Sequence, residues 1–178
     1  MLYTLLFPAL RDIALEAAGT SLEALLSTVG VGVDWALVNQ PVVDWARDYT
    51  LQLSTSLTDV SNKFVTDEIT AWMESGQPIG ALIDSLAPMF GPTRADMIAT
   101  TEVTRAYAEG NTATWKASGV VTARRWMTAE DELVCPICGD LDGEEAGFDE
   151  QFGNEYDGPP AHPRCRCYIQ PVVRESND

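Results

Sequence analysis

The chain has 178 residues, enough for one hydrophobic core or for one core and a small appended unit. Hydrophobic residues make up 46% of it, as in an ordinary globular protein, and its formal charge of −16 argues against a general binder of nucleic acid or anionic membranes. The first ten residues are apolar, but they lack a basic leader and Pro8 interrupts them. We therefore expect no signal peptide or membrane span there, and we expect the protein to fold in a reducing cytosol.

The N-terminal two thirds of the chain has the periodicity of helices. Apolar residues recur at steps of mostly three and four from Val42 to Trp72, and polar residues occupy the intervening positions. This spacing predicts one apolar stripe, on a single long helix or on two shorter ones. Packing inside the protein explains such a stripe, and docking on another subunit is the alternative.

Glycine and proline then divide the helical part. A break at 76–80 precedes a short helix predicted over 79–89. Pro92 is well placed to open the next helix, because its fixed φ suits the first helical position. That helix is predicted over 93–118, and Gly119 is its expected C-terminal stop.

The character of the sequence changes after Gly119. β-branched and aromatic residues predict a strand over 120–128 and a final strand over 167–173. The segment between residues 139 and 163 is rich in turn-forming residues, and a loop of this length in a small unit is expected to be held at both ends. Pairing of the two strands would bring those ends together, and Pro171 indicates an edge strand or a strand end.

All four cysteines and the single histidine of the chain fall in two short clusters. The first is Cys135 and Cys138, and the second is His162, Cys165 and Cys167. Sulfur and imidazole nitrogen are the ligands that zinc prefers, in a closed tetrahedron when the site is structural. The spacing therefore predicts a structural zinc site, because nothing in the pattern indicates an open coordination position.

Five candidate ligands compete for four positions. Either the four cysteines bind the metal, or Cys135, Cys138, His162 and Cys165 bind it and Cys167 is spare. Two disulfides in an exported protein, or free thiols in a cytosol, are the alternatives to a metal. These elements predict the α+β class: a mainly helical N-terminal part followed by a small zinc-stabilised β-hairpin and loop unit.

The order of these features resembles the phage Mu protein F-like family of minor head, or head morphogenesis, proteins. The resemblance covers about residues 95–173, and its most specific part is the His-Pro-x-Cys-x-Cys ending. The matching segments are Ile98–Gly110, Trp126–Asp131, Cys135–Cys138, Asp142–Gly143 and Pro159–Cys167. One departure concerns the arginine that often precedes the Thr-Glu pair of the family, because Thr100 and Thr101 precede Glu102 here.

The resemblance implies a low-copy structural protein of a phage head. It implies association with the portal protein and capsid components, a role in head morphogenesis and in DNA packaging or delivery, and a location in the virion after assembly in the bacterial cytoplasm. On this basis residues 1–92 are predicted to be a helical docking region and residues 93–178 the Mu F-like domain. We expect no enzyme activity and no membrane association.

Two further sets of residues have alternative interpretations. Arg124, Arg125, Arg164 and Arg166 could form a small basic face toward DNA phosphates, or they could neutralise the acidic loop that begins at Glu130. Glu102 and Asp131 could serve as catalytic carboxylates in a cleft near the metal. The simpler interpretation of Glu102 is a helix-surface ion pair with Arg105, which could also pair with Glu109.

Overall fold

The computed structural model describes residues 6–54 and 58–173. Within these ranges the chain forms five long helices followed by a short helix and three strands, so the predicted α+β class is confirmed. The Leu57 position of the predicted stripe lies outside the described residues. The elements are α1 (Leu6–Val29), α2 (Trp35–Ser54), α3 (Asp59–Ser75), α4 (Ile79–Phe90), α5 (Pro92–Ser118), β1 (Val121–Met127), α6 (Pro136–Leu141), β2 (Glu145–Ala146) and β3 (Tyr168–Val173).

The ends of the helices follow from local chemistry. Thr58 caps α3 by accepting a hydrogen bond from the N–H of Ser61 (3.3 Å), and Gly76 ends the helix with a left-handed φ of 62°. Pro92 occupies the first turn of α5, as predicted, and Gly119 ends that helix with a φ of 68°. The stripe from Val42 to Trp72 divides between α2 and α3, which is the second of the two predicted arrangements.

Helix α5 is the central element, because it contributes to both hydrophobic clusters. The first cluster fills the helical part and includes Ile13, Ile69, Leu82 and Ala99. α1 crosses α5 closely at Gly110, and the Thr114 hydroxyl donates a hydrogen bond to the Ala18 carbonyl across the same interface (3.0 Å). Small residues at this crossing let the two backbones approach.

The second cluster lies between α5 and a three-stranded antiparallel sheet of order β2-β1-β3. Trp126 of β1 is opposite Ile169 of β3, and its ring packs edge-on against Phe152 with 5.3 Å between centroids. The predicted pairing of the first and last strands is therefore confirmed, with Pro171 on the outer strand β3. In the described part of the chain, no helix combines the length and apolar character that a bilayer crossing needs.

Candidate metal centre

The two predicted ligand clusters meet at one end of the sheet. His162 Nε2 lies 3.2 Å from Cys135 Sγ and 3.2 Å from Cys138 Sγ, although Cys138 and His162 are 24 residues apart in the chain. Cys138 Sγ lies 3.7 Å from Cys165 Sγ. Cys135, Cys138 and His162 form one group of converging donors, and Cys138, Cys165 and Cys167 form a second, so this cluster of five side chains could hold a metal ion.

The first two cysteines are placed by a helix start that the sequence analysis did not predict. Cys135 is the N-cap of α6, Pro136 occupies its first turn, and the N–H of Cys138 donates a weak hydrogen bond to Cys135 Sγ (3.4 Å). This N–H lowers the pKa of the Cys135 thiol, because it stabilises the thiolate. Cys138 faces inward, and its burial raises the pKa of its thiol to about 12.

The hydrogen bonding of His162 makes Nε2 the ring nitrogen that could bind a metal. His162 Nδ1 lies 2.8 Å from the carbonyl oxygen of Pro163, so Nδ1 carries the proton and donates it there. This hydrogen bond is the main reason why the pKa of His162 is raised. The lone pair of Nε2 is then directed at the sulfurs of Cys135 and Cys138, and a backbone carbonyl holds the ring as it does in many metal sites.

The second pair of cysteines is buried just before β3. The Cys167 thiol donates a hydrogen bond to Cys165. This hydrogen bond is the main reason why the pKa of Cys165 is lowered to about 5, and it is also the main reason why the pKa of Cys167 is raised. Cys167 also lies beside the indole of Trp126, and this contact favours its thiolate. Among the described residues the buried Trp126 Nε1 has no conventional hydrogen-bond partner, so a sulfur that gains negative charge would be its natural acceptor.

Helix α5 supports the loop that carries His162 and the last two cysteines. Thr104 Oγ1 donates to the Cys165 carbonyl (3.3 Å), and the N–H of Arg164 donates to Thr101 Oγ1 (3.0 Å). Arg164 has a left-handed φ of 64°, and its guanidinium pairs with Asp96. The two threonines therefore fix a strained part of the loop onto the helix. Sequence reasoning missed this role, because it placed them in a matching segment but gave no sign of a contact 60 residues away.

The four arginines of the predicted basic face have partners of their own. Arg125 pairs with Glu145 (2.5 Å), Arg166 forms a two-pronged pair with Asp131 (2.7 and 2.8 Å), and Arg164 pairs with Asp96. Arg125 and Arg166 thus neutralise carboxylates of the acidic loop that begins at Glu130. Neutralisation of this loop was the predicted alternative to a DNA contact.

Arg124 differs from the other three because it is buried. Its guanidinium donates to the backbone carbonyls of Asp157, Gly147 and Glu150 (2.5, 2.8 and 2.9 Å) and lies over the ring of Phe152. Arg124 therefore holds the 147–157 loop against the sheet and presents no charge to a phosphate. The predicted DNA contact at this residue conflicts with its burial.

The two candidate catalytic carboxylates have different surroundings. Asp131 is bound by Arg166, which lowers the pKa of the carboxyl, whereas Glu102 is only 5% exposed and sits near Tyr49 and Arg105. Burial raises the pKa of Glu102, although Tyr49 and Arg105 partly offset that effect. The prediction of a surface ion pair for Glu102 is wrong, because the side chain is buried under α2. The periodicity of α5 gave no sign that another helix covers this position.

The helical part, the small sheet and the cysteine–histidine centre are the features of an α+β protein built around one long shared helix. Residues 63–170, more than half of the chain, match the family model described as Phage Mu protein F like protein. The chain belongs to this family, as the resemblance predicted, and the family indicates a phage head-related protein. Neither the curated proteins nor the solved structures include a match to this chain.

Proposed function

We propose that this protein is a minor head protein of a tailed phage or prophage, present in a few copies per particle and associated with the portal. The support is the family match over residues 63–170 together with the convergence of two distant ligand clusters on one centre. Assembly would take place in the bacterial cytoplasm, and the mature location would be the head or neck of the virion. Portal and capsid components are the proposed partners.

The proposal includes a structural zinc ion held by Cys135, Cys138, His162 and Cys165. In a zinc tetrahedron with Zn–S bonds of about 2.3 Å, two sulfurs lie about 3.8 Å apart. The Cys138–Cys165 separation of 3.7 Å fits that edge, and His162 Nε2 is already close to two sulfurs. Cys167 remains as a neighbouring thiol between Cys165 and Trp126.

The metal would supply stability that the loop unit cannot obtain from its core. β2 has two residues and α6 has six, and the 147–157 loop depends on Arg124 and a few aromatic contacts. Zinc bound by thiolates and imidazole contributes folding free energy directly, because the site does not exist in the unfolded chain. A unit of this size commonly needs such a contribution.

We propose a structural and not a catalytic role for the centre. Four donors would close the coordination sphere, and the carboxylate of Asp131, one of the two candidate catalytic carboxylates, is bound by Arg166. A DNA contact has little support, because Arg125, Arg164 and Arg166 are each occupied by a carboxylate. Binding to DNA would have to break those pairs.

Quantitative mass spectrometry of purified particles tests the proposed location. The copy number of this chain is measured against the portal and major capsid proteins of the same phage, in both mature particles and procapsids. A few copies per particle is the expected result. Absence from both kinds of particle would contradict the assignment as a head protein.

Metal content tests the ligand set. Purified Cys138→Ser should lose zinc, because Cys138 belongs to both groups of donors, whereas Cys167→Ser should keep about one zinc per chain. Both substitutions remove one buried thiol, so the second is a matched control for the first. Equal loss of zinc in the two variants would indicate the all-cysteine site instead.

A further inference from the structure

The connection between α1 and α2 carries an unusual concentration of exposed apolar side chains. Leu26 is 56% exposed, Val29 37%, Trp35 41% and Leu37 60%. All four lie within twelve residues, at the last turn of α1 and the first turn of α2. We call these four residues the hairpin-tip patch.

The exposure of the patch is not the result of loosely packed helices. Leu25 and Val38 are the immediate neighbours of Leu26 and Leu37, and both are buried. Both helices therefore pack against the core at this point, and the exposed apolar side chains take no part in that packing. Trp35 and Leu37 are two positions apart, so they lie on different sides of the helix. The patch thus extends over more than one side of the α1–α2 connection.

The chain segment that carries the patch has charged residues of one sign. No lysine, arginine or histidine occurs between Arg11 and Arg47, whereas Glu23 and Asp34 border the patch and are exposed. None of the ion pairs formed by described residues involves Glu23 or Asp34. Asp34 instead caps the first turn of α2 by accepting from the N–H of Ala36 (3.0 Å).

We propose that the hairpin-tip patch inserts into an apolar cavity of a partner protein whose rim carries lysine or arginine side chains. An apolar centre with an uncompensated acidic border is complementary to that chemistry. A second copy of this chain is disfavoured, because each copy brings the same acidic border and a net charge of −16. Tryptophan is enriched among the residues that dominate binding energy at interfaces, and here it lies within the patch.

This inference rests on the proposed function for the choice of partner, because a head protein of low copy number must be retained by the portal or by the capsid shell. The probes are therefore the assembled portal ring and the major capsid shell of the same phage, each purified. Binding of the full chain to each probe is measured by biolayer interferometry. The Kd should rise as salt is increased, because the acidic border is screened.

The decisive variant is L26S/L37S, which changes the two most exposed residues of the patch and touches no core position. It should raise the Kd for one probe at least tenfold while it leaves zinc content and Tm unchanged. The control is Val60→Ser on α3, which removes a side chain that is 72% exposed but lies outside the patch. Val60→Ser should bind as the wild type does.

The possible results separate the failure of the inference from the failure of the proposed function. If the wild type binds a probe and L26S/L37S binds it equally well, the patch is not the docking surface and the proposed function stands. If the wild type binds neither probe, both are overturned. Two other outcomes also overturn the inference: wild-type dimers that L26S/L37S abolishes, and patch-dependent binding to phosphatidylcholine vesicles.

Discussion

The crossing of α1 and α5 makes one substitution especially informative. A methyl group placed on Gly110 would lie 2.0 Å from the carbonyl oxygen of Ala14 and 3.0 Å from the Cβ of Ala17. Both helices pack the buried core here, and the obstacle is backbone, which cannot rotate away as a side chain can. Gly110→Ala therefore requires α1 to move away from α5 by at least about 1 Å, since Cβ contacts shorter than 3.0 Å are not tolerated.

The expected cost follows from two opposing effects. Overpacking of a close-packed interface costs about 3 kcal/mol at the upper end of its usual range. Alanine is favoured over glycine inside a helix by about 1 kcal/mol, which acts in the other direction. The free energy of unfolding should therefore fall by about 2 kcal/mol, which for a chain of this size lowers the Tm by about 4–8 °C.

Chemical and thermal denaturation of the purified protein measure this loss. Gly19→Ala is the matched control, because Gly19 is also inside a helix, α1, and a Cβ there would meet nothing within 4 Å. The control should be as stable as the wild type or more stable by up to about 1 kcal/mol. If Gly110→Ala were as stable as Gly19→Ala, the close approach of the two helices would be wrong.

Three further predictions address the loop unit and the buried carboxylate. Arg124→Met should lower the free energy of unfolding by about 3 kcal/mol, because three backbone carbonyls lose a charged donor. It should also speed amide hydrogen exchange over 147–157. Unchanged exchange there would contradict the role of this side chain. Burial raises the pKa of Glu102 above its usual 4.5, so the folded state binds the proton more tightly than the unfolded state does. This tighter proton binding stabilises the folded state fully below pH 4.5, and the stabilisation is lost as the pH rises through the folded pKa. Urea unfolding should therefore show that the wild type gains stability relative to Glu102→Gln as the pH falls from 7.5 to 5, whereas Glu74→Gln, at an exposed helix position, should show no such trend. Chelation should make 128–167 sensitive to protease while α1 and α4 stay resistant, and equal resistance with and without chelator would show that no metal holds the loops.

The helices and the main strand pair could be predicted from the sequence because local signals define them. Pro92 and Gly119 bound α5, and the observed α5 and β1 begin and end within one residue of the predicted 93–118 and 120–128. α6 and β2 were missed, since elements of six and two residues have no usable periodicity. They form because the Cys135 cap and the pairing of Arg124 with Ala146 position the chain.

The candidate site could be predicted as a set of residues but not as an arrangement. Clustering of the cysteines and His162 identified the donors, and the structure brings all five together. The positions of the donor atoms of the second cluster depend on Thr101 and Thr104, which contact residues more than 60 positions later in the chain. The burial of Arg124 and Glu102 was also hidden, because a charged residue in an amphipathic pattern is by default assigned to the solvent.

The central claim is that one zinc ion joins the two ligand clusters. X-ray absorption at the zinc edge of the purified, unmodified protein tests it most directly, because the spectrum gives the metal, the kind of ligand atoms and their distances in one measurement. The account predicts one zinc per chain with three sulfurs at about 2.3 Å and one nitrogen at about 2.0 Å. Absence of zinc, or zinc bound only by oxygen and nitrogen, would contradict it.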